Sequence, residues 1–410
     1  MCRLIRVPAT LDKCFCPLPP CVHWDHCAYF RLLVLVIAMA WGRRNVANLD
    51  RYMDATHHRT RFHHFFLVAR WDPAAALRQN APARPRALHR GPGETLDVVM
   101  DDAKKATRGK AMDAVATMKD PMTEGDIRGH QYVCALLVVR AQVISWGIRL
   151  YVKPEHATAL GLPFDQTTEL AGQLSRELKA PAGVTVMVLF DAYSRCHTVV
   201  KACQEKHVHF ASTLKRHRRL FTQGWKLKAG RYGKQLCRRR RTHTCVLAKP
   251  QGMVGDRFIA AGWLEVSQLG QRHGVFSRQG SARKILGLVT DAPALSGAGL
   301  IRTYDNRWAG AQFFQDSQQR LGLGHYQHRP DRASVTPRHL VCFAYALLTP
   351  LRIERHGAQG QWAHHKAADL SVATAQEALR CVLWDDLVAY LTEKRRGEAV
   401  LAELERLRVA

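Results

Sequence analysis

The sequence predicts a mixed α/β fold, and three features of the chain support that prediction. Residues 29–76 carry apolar side chains at helical spacing, which indicates an N-terminal helical region. After a Pro- and Gly-rich linker, short apolar runs of strand length alternate with segments of helical spacing. Residues 225–291 are then rich in glycine, basic residues and short β-like runs. We therefore expect a mixed sheet with flanking helices, interrupted by a β-rich insertion.

Within the α/β part, each predicted element follows from the spacing of its apolar residues. Strands are predicted at Thr95–Met100 and at Val184–Phe190, and Gln131–Tyr151 predicts two strands with a turn near Arg140. A further strand is predicted at Val208–Leu214. Helices are predicted at Phe164–Lys179, Thr198–Lys206, Ala298–Gly322, Val335–Arg352 and Ala373–Leu407.

Changes in composition divide the chain into five segments. Its 410 residues exceed the roughly 100 to 200 of an ordinary domain, and the Pro- and Gly-rich stretch Asn80–Gly93 is typical of a linker. The segments are 1–90, a helical region with basic residues throughout, as suits DNA binding, and a linker; 91–224, the first part of an α/β domain; 225–294, the β-rich insertion; 295–352, two further helices of the α/β domain; and 353–410, a C-terminal linker and helix.

Charge and hydropathy narrow the class of partner. The net charge of +27 favours a polyanion such as DNA, because basic side chains displace counterions from phosphates. The apolar run Leu32–Trp41 spans ten residues, about half of what a membrane-spanning helix needs, so we predict a buried helix and no membrane partner. Cysteines inside apolar stretches, such as Cys134, Cys342 and Cys381, favour reduced thiols and a cytoplasmic protein.

Asp101 and Asp191 directly follow two of the predicted buried strands. In a mixed sheet such strand ends can lie side by side, and two neighbouring carboxylates stay ionised together only when a cation bridges them. Oxygen ligands of this kind suit Mg²⁺ or Mn²⁺. Either Asp alone could simply end its strand in a turn, where Asp is common. The pair, in this order of elements, favours metal-dependent phosphoryl transfer.

Several segments carry a resemblance to a known family. The most specific is Tyr304–Phe314, which continues through Leu321–Gln327. With them, the chain resembles bacterial insertion-sequence transposases that have a DDE site on a ribonuclease-H-like fold, in particular the group marked by a Tyr-Arg-Glu-Lys signature. The other matching segments are Val98–Asp102, Lys104-Lys105, Arg108–Lys110, Gly129–Val133 and Met187–Tyr193.

The resemblance implies a function and a site. It makes Asp101 the first acid, with Asp102 as a substitute, and Asp191 the second, together holding Mg²⁺ or Mn²⁺ as metal ligands. The implied activity is cleavage and strand transfer of DNA at the ends of an insertion sequence. The expected protein is bacterial, associated with the nucleoid, and forms a homodimer on paired ends.

The signature helix departs from the family pattern at two positions. The pattern places Tyr, Arg, Glu and Lys at offsets 0, 3, 7 and 14, where this chain has Tyr304, Arg307, Ala311 and Gln318. At about 100° per residue these offsets fall within an arc of roughly 60°, so one helix face carries all four. We therefore expect catalysis to be impaired, because the third acid is absent and Gln318 lacks the charge suited to a phosphate.

Neighbouring acids on the same helix do not replace the missing one. Asp305 and Asp316 lie about 100° and 120° around the helix from Tyr304, away from the expected position of the third carboxylate. Two other activities therefore stay open: a DNA-binding remnant without catalysis, and a nuclease without strand transfer. Because the chain lacks complete phosphate-loop, His-Glu-x-x-His and Gly-x-Ser-x-Gly motifs, we do not expect an ATPase or a serine hydrolase.

Two dense basic runs flank Trp225 and Tyr232, a mixture that suits contact with DNA phosphates and some aromatic stacking. The alternative is a solvated loop, and the overall charge of the chain favours DNA contact. The basic residues are Lys215, Arg216, Arg218, Arg219, Arg238, Arg239, Arg240 and Arg241.

Overall fold

A computed structural model gives the fold of the chain. It describes residues 3–4, 6–12, 14–15, 21–54, 59–80, 95–107, 109, 112–120, 124–139, 142–180, 182–191, 196–222, 225–238, 243–248, 254–279, 285–292, 294–326, 331–357 and 371–393. The predicted linker at 81–93, Arg239 to Arg241, and the predicted helical residues 394–407 lie outside these ranges.

The N-terminal region is helical, as the apolar spacing predicts. Its longest helix buries every residue from Leu32 to Met39, so the apolar run forms a buried helix as expected. It ends before Trp41-Gly42, and the last helix of the region begins at Pro73, where Asp72 accepts backbone N–H groups of Ala74 and Ala75. The helices are α1 (Ala9–Asp12), α2 (Trp24–Met39), α3 (Val46–Asp50), α4 (Arg59–Val68) and α5 (Pro73–Asn80).

No helix in the described ranges has both the length and the apolar composition needed to cross a membrane.

A twelve-stranded mixed sheet forms the centre of the molecule. Its pairing order is β2-β3-β1-β5-β6-β12-β11-β10-β7-β8, with β4 paired to β3 and β9 paired to β10. The pairs β1–β5 and β5–β6 are parallel and the others are antiparallel. The strands are β1 (Thr95–Ala106), β2 (Ala116–Lys119), β3 (Asp126–Val139), β4 (Gln142–Tyr151), β5 (Thr185–Phe190), β6 (His209–Thr213), β7 (Arg219–Thr222), β8 (Trp225–Lys228), β9 (His243–Ala248), β10 (Val254–Val266), β11 (Gly270–Gln279) and β12 (Ile285–Thr290).

Helices cover the sheet because both of its faces are apolar. On β1, Val99 joins the buried cluster that includes the N-terminal helices, whereas Val98 and Met100 join the cluster on the other face. This alternation follows from the period of two along a strand. The remaining helices are α6 (Pro154–Leu160), α7 (Thr167–Arg176), α8 (Cys196–Glu205), α9 (Ala229–Arg238), α10 (Gly297–Asp305), α11 (Trp308–Gln319), α12 (Asp331–Gly357) and α13 (Val372–Glu393).

Strands β3 to β6 and helices α7, α8 and α12 are confirmed near their predicted positions. Strands β2 and β7 and helix α6 were not predicted, and β1 is longer than expected. The strand was expected to end at Met100, but it continues to Ala106. The reason is tertiary: β3 pairs with the extra residues, from Asp101 opposite Cys134 to Ala106 opposite Gly129. Because the side chains of this extension are mostly polar, the pattern of apolar residues did not predict it.

The segment predicted as a β-rich insertion contains five strands, β8 to β12, and one helix that the sequence analysis missed. Its strand β12 pairs with β6, with Leu288 opposite Thr213, so the segment extends the same sheet. The missed helix α9 contains two glycines and several basic residues, which obscure its apolar side. That side packs on the sheet through Tyr232 and Leu236.

The single helix predicted at 298–322 is two helices. α10 ends at Asp305, and α11 begins at Trp308. The residues between them keep right-handed helical backbone angles, but the backbone N–H groups of Asn306 and Arg307 bond to carbonyls three residues back. The connection is therefore a tightened helical turn rather than a loop.

Candidate active site

The two candidate carboxylates lie on neighbouring parallel strands. Met100 on β1 pairs with Phe190 on β5, and Asp101 and Asp191 are the next residue on each chain. Neighbouring strands are about 4.8 Å apart, so this register sets the two carboxylates side by side. The prediction that the strands bring these residues together is confirmed, although Asp101 lies within β1 rather than at its end.

The pairing also distinguishes Asp101 from Asp102. Asp101 faces α11, since a Cβ added to Gly310 would lie 2.6 Å from its Oδ2. Asp102 is directed to the opposite face of the sheet, where its Oδ2 accepts a hydrogen bond of 2.7 Å from Gln131 Nε2. Asp101 is therefore the carboxylate that shares a face with the signature helix.

A hydroxyl from the next strand fixes the second carboxylate. Thr213, the last residue of β6, donates a hydrogen bond of 2.6 Å from Oγ1 to Asp191 Oδ1. The bond sets the rotation of the carboxylate. The sequence analysis did not single out Thr213, although it lies near the end of the predicted strand next to the Asp191 strand.

Arg307, at the start of α11, lies beside Asp101. Its Nη1 is 4.0 Å from Asp101 Oδ1, and the side chains of Arg307 and Asp101 are 16% and 18% exposed. The guanidinium is 5.7 Å from the ring of Tyr304 and 5.3 Å from that of Trp308, both within range of cation–π attraction. Arg307 is thus held beside Asp101 by aromatic rings as well as by charge.

Tyr304 positions the site from within the core. Its side chain is buried, and its hydroxyl donates a hydrogen bond of 3.3 Å to the carbonyl of Phe190, the residue before Asp191. Burial also raises the pKa of Tyr304, so it stays protonated. The hydroxyl therefore ties α10 to the end of β5.

The environment of Asp101 favours its neutral form. Its pKa is raised to about 6, mainly by burial and also by the neighbouring carboxylates of Asp102 and Asp191, whereas Arg307 and the N–H of Asp102 act in the opposite direction. A cation between the two carboxylates would relieve the repulsion. The pair is thus electrostatically suited to bind one.

One face of α11 borders a cavity at these carboxylates. The cavity measures about 600 Å³, and Asp101, Asp191, Gln315 and Gln318 contribute to its lining. Ala311 lies four residues before Gln315 and seven before Gln318, on the same helix face, and it is exposed. Position 311 thus presents only a methyl group on the helix face whose Gln315 and Gln318 line the cavity.

The close approach of α11 to β1 depends on Gly310. Besides Asp101 Oδ2, an added Cβ would lie 2.9 Å from Asp101 Cβ and 3.1 Å from a methyl group of Val99. Any side chain at position 310 would thus push the helix away from the carboxylates. The sequence analysis missed this residue because close approach leaves no local signal.

Other acids on these helices do not line the cavity. Asp316 is buried on another side of α11, 7% exposed, and accepts a hydrogen bond of 2.9 Å from Gln312 Nε2. This agrees with its predicted angular position. Among the described residues, no group of three or more His, Cys, Asp or Glu side chains comes together in a way that could hold a metal ion.

The first basic run lies at the turn between β6 and β7. Arg216 and Arg219 are exposed, whereas Arg218 donates a hydrogen bond of 2.9 Å to Gln268 Oε1. Tyr232 packs edge-on against Phe276, with ring centroids 5.6 Å apart, so its ring is engaged in the core. Of the second run, Arg238 ends helix α9, and the rest lies outside the described residues.

No protein-family model matches the chain, and no curated protein matches it.

Proposed function

We propose that this chain is a DDE-type transposase of an insertion sequence, with impaired cleavage because Ala311 occupies the third-acid position. The observation that carries the proposal is the paired register of Asp101 and Asp191 beside Arg307 and the cavity-lining face of α11. Strong positive charge over the whole chain supports DNA as the substrate. A homodimer on paired DNA ends belongs to the same proposal.

The order of five strands supports a ribonuclease-H-like catalytic domain. Strands β4, β3, β1, β5 and β6 are adjacent in that order, with β3 antiparallel to β1 and with β5 and β6 parallel to it. The carboxylates lie on the two central parallel strands. The segment between β6 and α10 then corresponds to the insertion in the proposed architecture.

The residues present fit one divalent cation better than two. Two carboxylates side by side, with room for water and a substrate phosphate in the cavity, match what Mg²⁺ requires of a protein. From α11, Gln315 and Gln318 offer only neutral amides to the cavity. Asp102 and Asp120 also line it, and Asp102 accepts a hydrogen bond from Gln131. When bound, Mg²⁺ or Mn²⁺ would activate the attacking hydroxyl and stabilise the leaving oxygen of an in-line displacement.

The side chains of the site would bind the cation, the scissile phosphate and the DNA flank. Asp101 and Asp191 would hold the cation, and Arg307 would donate to a non-bridging oxygen of the scissile phosphate, since guanidinium groups recognise phosphate well. Tyr304 would keep α10 against β5 without touching the substrate. Gln318 would contact the DNA flank by hydrogen bonding alone.

Ala311 and Gln318 also favour a second candidate, a DNA-binding protein that occupies transposon ends without cutting them. The methyl group of Ala311 cannot hold a cation, and the pair of carboxylates alone would bind metal without completing the two-metal arrangement. The two candidates share the same DNA contacts. They differ in their products.

In the deciding experiment, DNA from the flanks of the gene is incubated with Mg²⁺ or Mn²⁺ and one of three proteins. These are the natural protein, the variant Ala311→Glu, and the double variant Ala311→Glu with Gln318→Lys. Ala311 is exposed, so a longer side chain fits. We expect at least about 100-fold faster cleavage by the double variant, equivalent to about 2.7 kcal/mol of barrier.

Products distinguish the candidates. Joined strands indicate a transposase, nicks without joining indicate a nuclease, and binding alone by every variant supports the non-cutting candidate. Asp191→Asn in the double variant serves as the control that must abolish cleavage. Rapid cleavage by the natural protein would show that Ala311 does not impair the site.

A further inference from the structure

Basic side chains pack on a compact turn that lies beyond the two carboxylates, on the same face of the sheet. Lys105 follows Asp101 by four residues on β1, so the two side chains point to the same face. At about 3.3 Å per residue they are roughly 13 Å apart along the strand. Lys105 contacts the turn Gly322–His325, which follows α11.

Two glycines allow the basic side chains to pack directly on this turn. Gly324 has a φ of +82°, and an added Cβ would lie 2.5 Å from Lys105 Cγ. Gly322 has a φ of +79°, and its added Cβ would lie 2.5 Å from Arg44 Cβ. Positive φ and close contact together favour glycine at both positions. Lys105 is thereby held against the turn rather than left free in solvent.

A buried hydrogen-bond chain anchors the same turn to β3. The hydroxyl of Tyr326, the next residue, is 2.5 Å from that of Tyr132 and 3.4 Å from His130 Nδ1. His130 Nε2 in turn lies 3.1 Å from the carbonyl of Asp113. Polar groups satisfied in this way within a core fix the position of a turn. The turn is therefore a rigid platform.

The hydrogen bonds of Arg44 set the tautomer of His325. The guanidinium of Arg44 is occupied by carbonyls at the end of α2, including that of Ala40 at 2.5 Å. Its backbone N–H donates to His325 Nδ1 at 3.3 Å, so the proton of a neutral imidazole lies on Nε2. Burial, followed by Lys105, Arg44 and Arg43, lowers the pKa of His325 to about 4, which keeps the ring neutral.

In the described part of the chain, no acidic side chain is paired with these basic groups. Arg43 is exposed, and Lys105 is partly buried. No carboxylate forms an ion pair or a hydrogen bond with Arg43, Lys105 or His325 among the described residues. Cations held close together without an acid are repelled by one another, and a bound phosphodiester would relieve that repulsion.

We infer that Arg43, Lys105 and the Nε2–H of His325 bind one phosphodiester of duplex DNA, away from the phosphate at Asp101 and Asp191. The inference rests on the proposed function. A separation of roughly 13 Å corresponds to about four base pairs along the duplex axis. Two cations and one N–H donor contact the backbone without reading a base edge, so this contact is independent of sequence.

The test measures the affinity of the protein for a 30-base-pair duplex from the gene flank as a function of salt, with EDTA present. The variants are Arg43→Gln, Lys105→Met and the double variant. Methionine keeps the aliphatic contact of Lys105 with Gly324. Lys206→Met is the matched control, since Lys206 is exposed and follows α8, on the other face of the sheet.

We expect the slope of log affinity against log salt to fall in magnitude by about 0.9 in each single variant and about 2 in the double variant. At low salt the double variant should bind at least about 10-fold more weakly, and Lys206→Met should match the natural protein. Phosphate alkylation should interfere with binding of the natural protein at a position that no longer matters to the double variant.

The outcomes distinguish failure of the phosphate site from failure of the proposed function. If the natural protein binds DNA and the double variant retains its full salt slope, the phosphate site is wrong and the proposed function stands. If the natural protein does not bind duplex DNA, both are overturned. If only binding of single-stranded RNA depends on Arg43 and Lys105, DNA is not the ligand of this site. Arg43→Gln, at an exposed side chain, remains informative if Lys105→Met fails to fold.

Discussion

The sheet half and the helix half of the candidate site differ in what they retain. The sheet half carries both expected carboxylates, Asp101 and Asp191, in a register set by β1 and β5. The helix half keeps the features that place α11, but has Ala311 and Gln318 where an acid and a lysine are expected. The position of α11 thus depends on its buried side, so substitutions on its cavity side should leave the fold intact.

The buried side of α11 should have the largest effect on stability. Phe313 is fully buried and packs edge-on against Tyr345 of α12, with ring centroids 4.9 Å apart. Phe313→Ala should lower the free energy of unfolding by about 3–5 kcal/mol, through lost burial and a cavity. Urea denaturation measures this. Gln315→Ala, on the cavity side, should change it by less than about 0.5 kcal/mol, and equal effects would remove the distinction between the two sides.

On the sheet half, the stability should depend on the ionisation of Asp101. Its pKa is raised from 3.8 to about 6 in the folded protein, so the folded state binds the proton more tightly than the unfolded state. The associated stability is present below about pH 4 and is lost as the pH rises through about 6. Asp101→Asn should therefore be more stable at pH 8, by up to about 3 kcal/mol.

The measurement is denaturation of both proteins from pH 4 to pH 8 in EDTA. The advantage of Asp101→Asn should disappear towards pH 4, where the natural carboxyl is protonated in both states. Parallel pH profiles of the two proteins would show that burial does not shift this carboxyl.

The contact between α11 and β1 should be destabilised by one added methyl group. Gly310→Ala places a Cβ within 3.0 Å of two atoms of Asp101, and overpacking of this kind costs about 1–3 kcal/mol. Helix propensity offsets up to about 1 kcal/mol, so we expect a net loss of about 1–2 kcal/mol. Gly262→Ala is the matched control, because an added Cβ there meets no atom within 4 Å. A stabilised Gly310→Ala would mean that α11 does not press on the carboxylate.

Placing a glutamate at position 311 should have the smallest effect on stability. Ala311→Glu adds a third negative charge near Asp101 and Asp191 at an exposed position, and should lower stability by less than about 1 kcal/mol in EDTA. Saturating Mg²⁺ should reverse the loss, since a ligand at 100 times its Kd contributes about 2.7 kcal/mol. Thermal melting with and without Mg²⁺ measures this effect. The control is Gln319→Glu, at an exposed position outside the cavity lining, where Mg²⁺ should stabilise the variant no more than it stabilises the natural protein.

Much of the architecture follows from local patterns. The alternation of apolar runs predicted β3 to β6 and helices α7 and α8, since side-chain periods of 2 and 3.6 are properties of the segment itself. The same arithmetic grouped Ala311 with Gln318 on one face and kept Asp316 away from it. By contrast, the extension of β1 and helix α9 were not predictable, because pairing with β3 and packing against Phe276 stabilise them.

The sequence by itself determined which acids follow buried segments, that Ala311 and Gln318 share a helix face, and that the chain is strongly basic. Only the tertiary structure decided that Asp101 rather than Asp102 faces α11, that Tyr304 is occupied by a carbonyl in the core, and that Lys105 meets His325 across more than 200 residues of sequence. Strand register and close approach between distant segments produce these results, and neither leaves a periodic signal in the segment concerned.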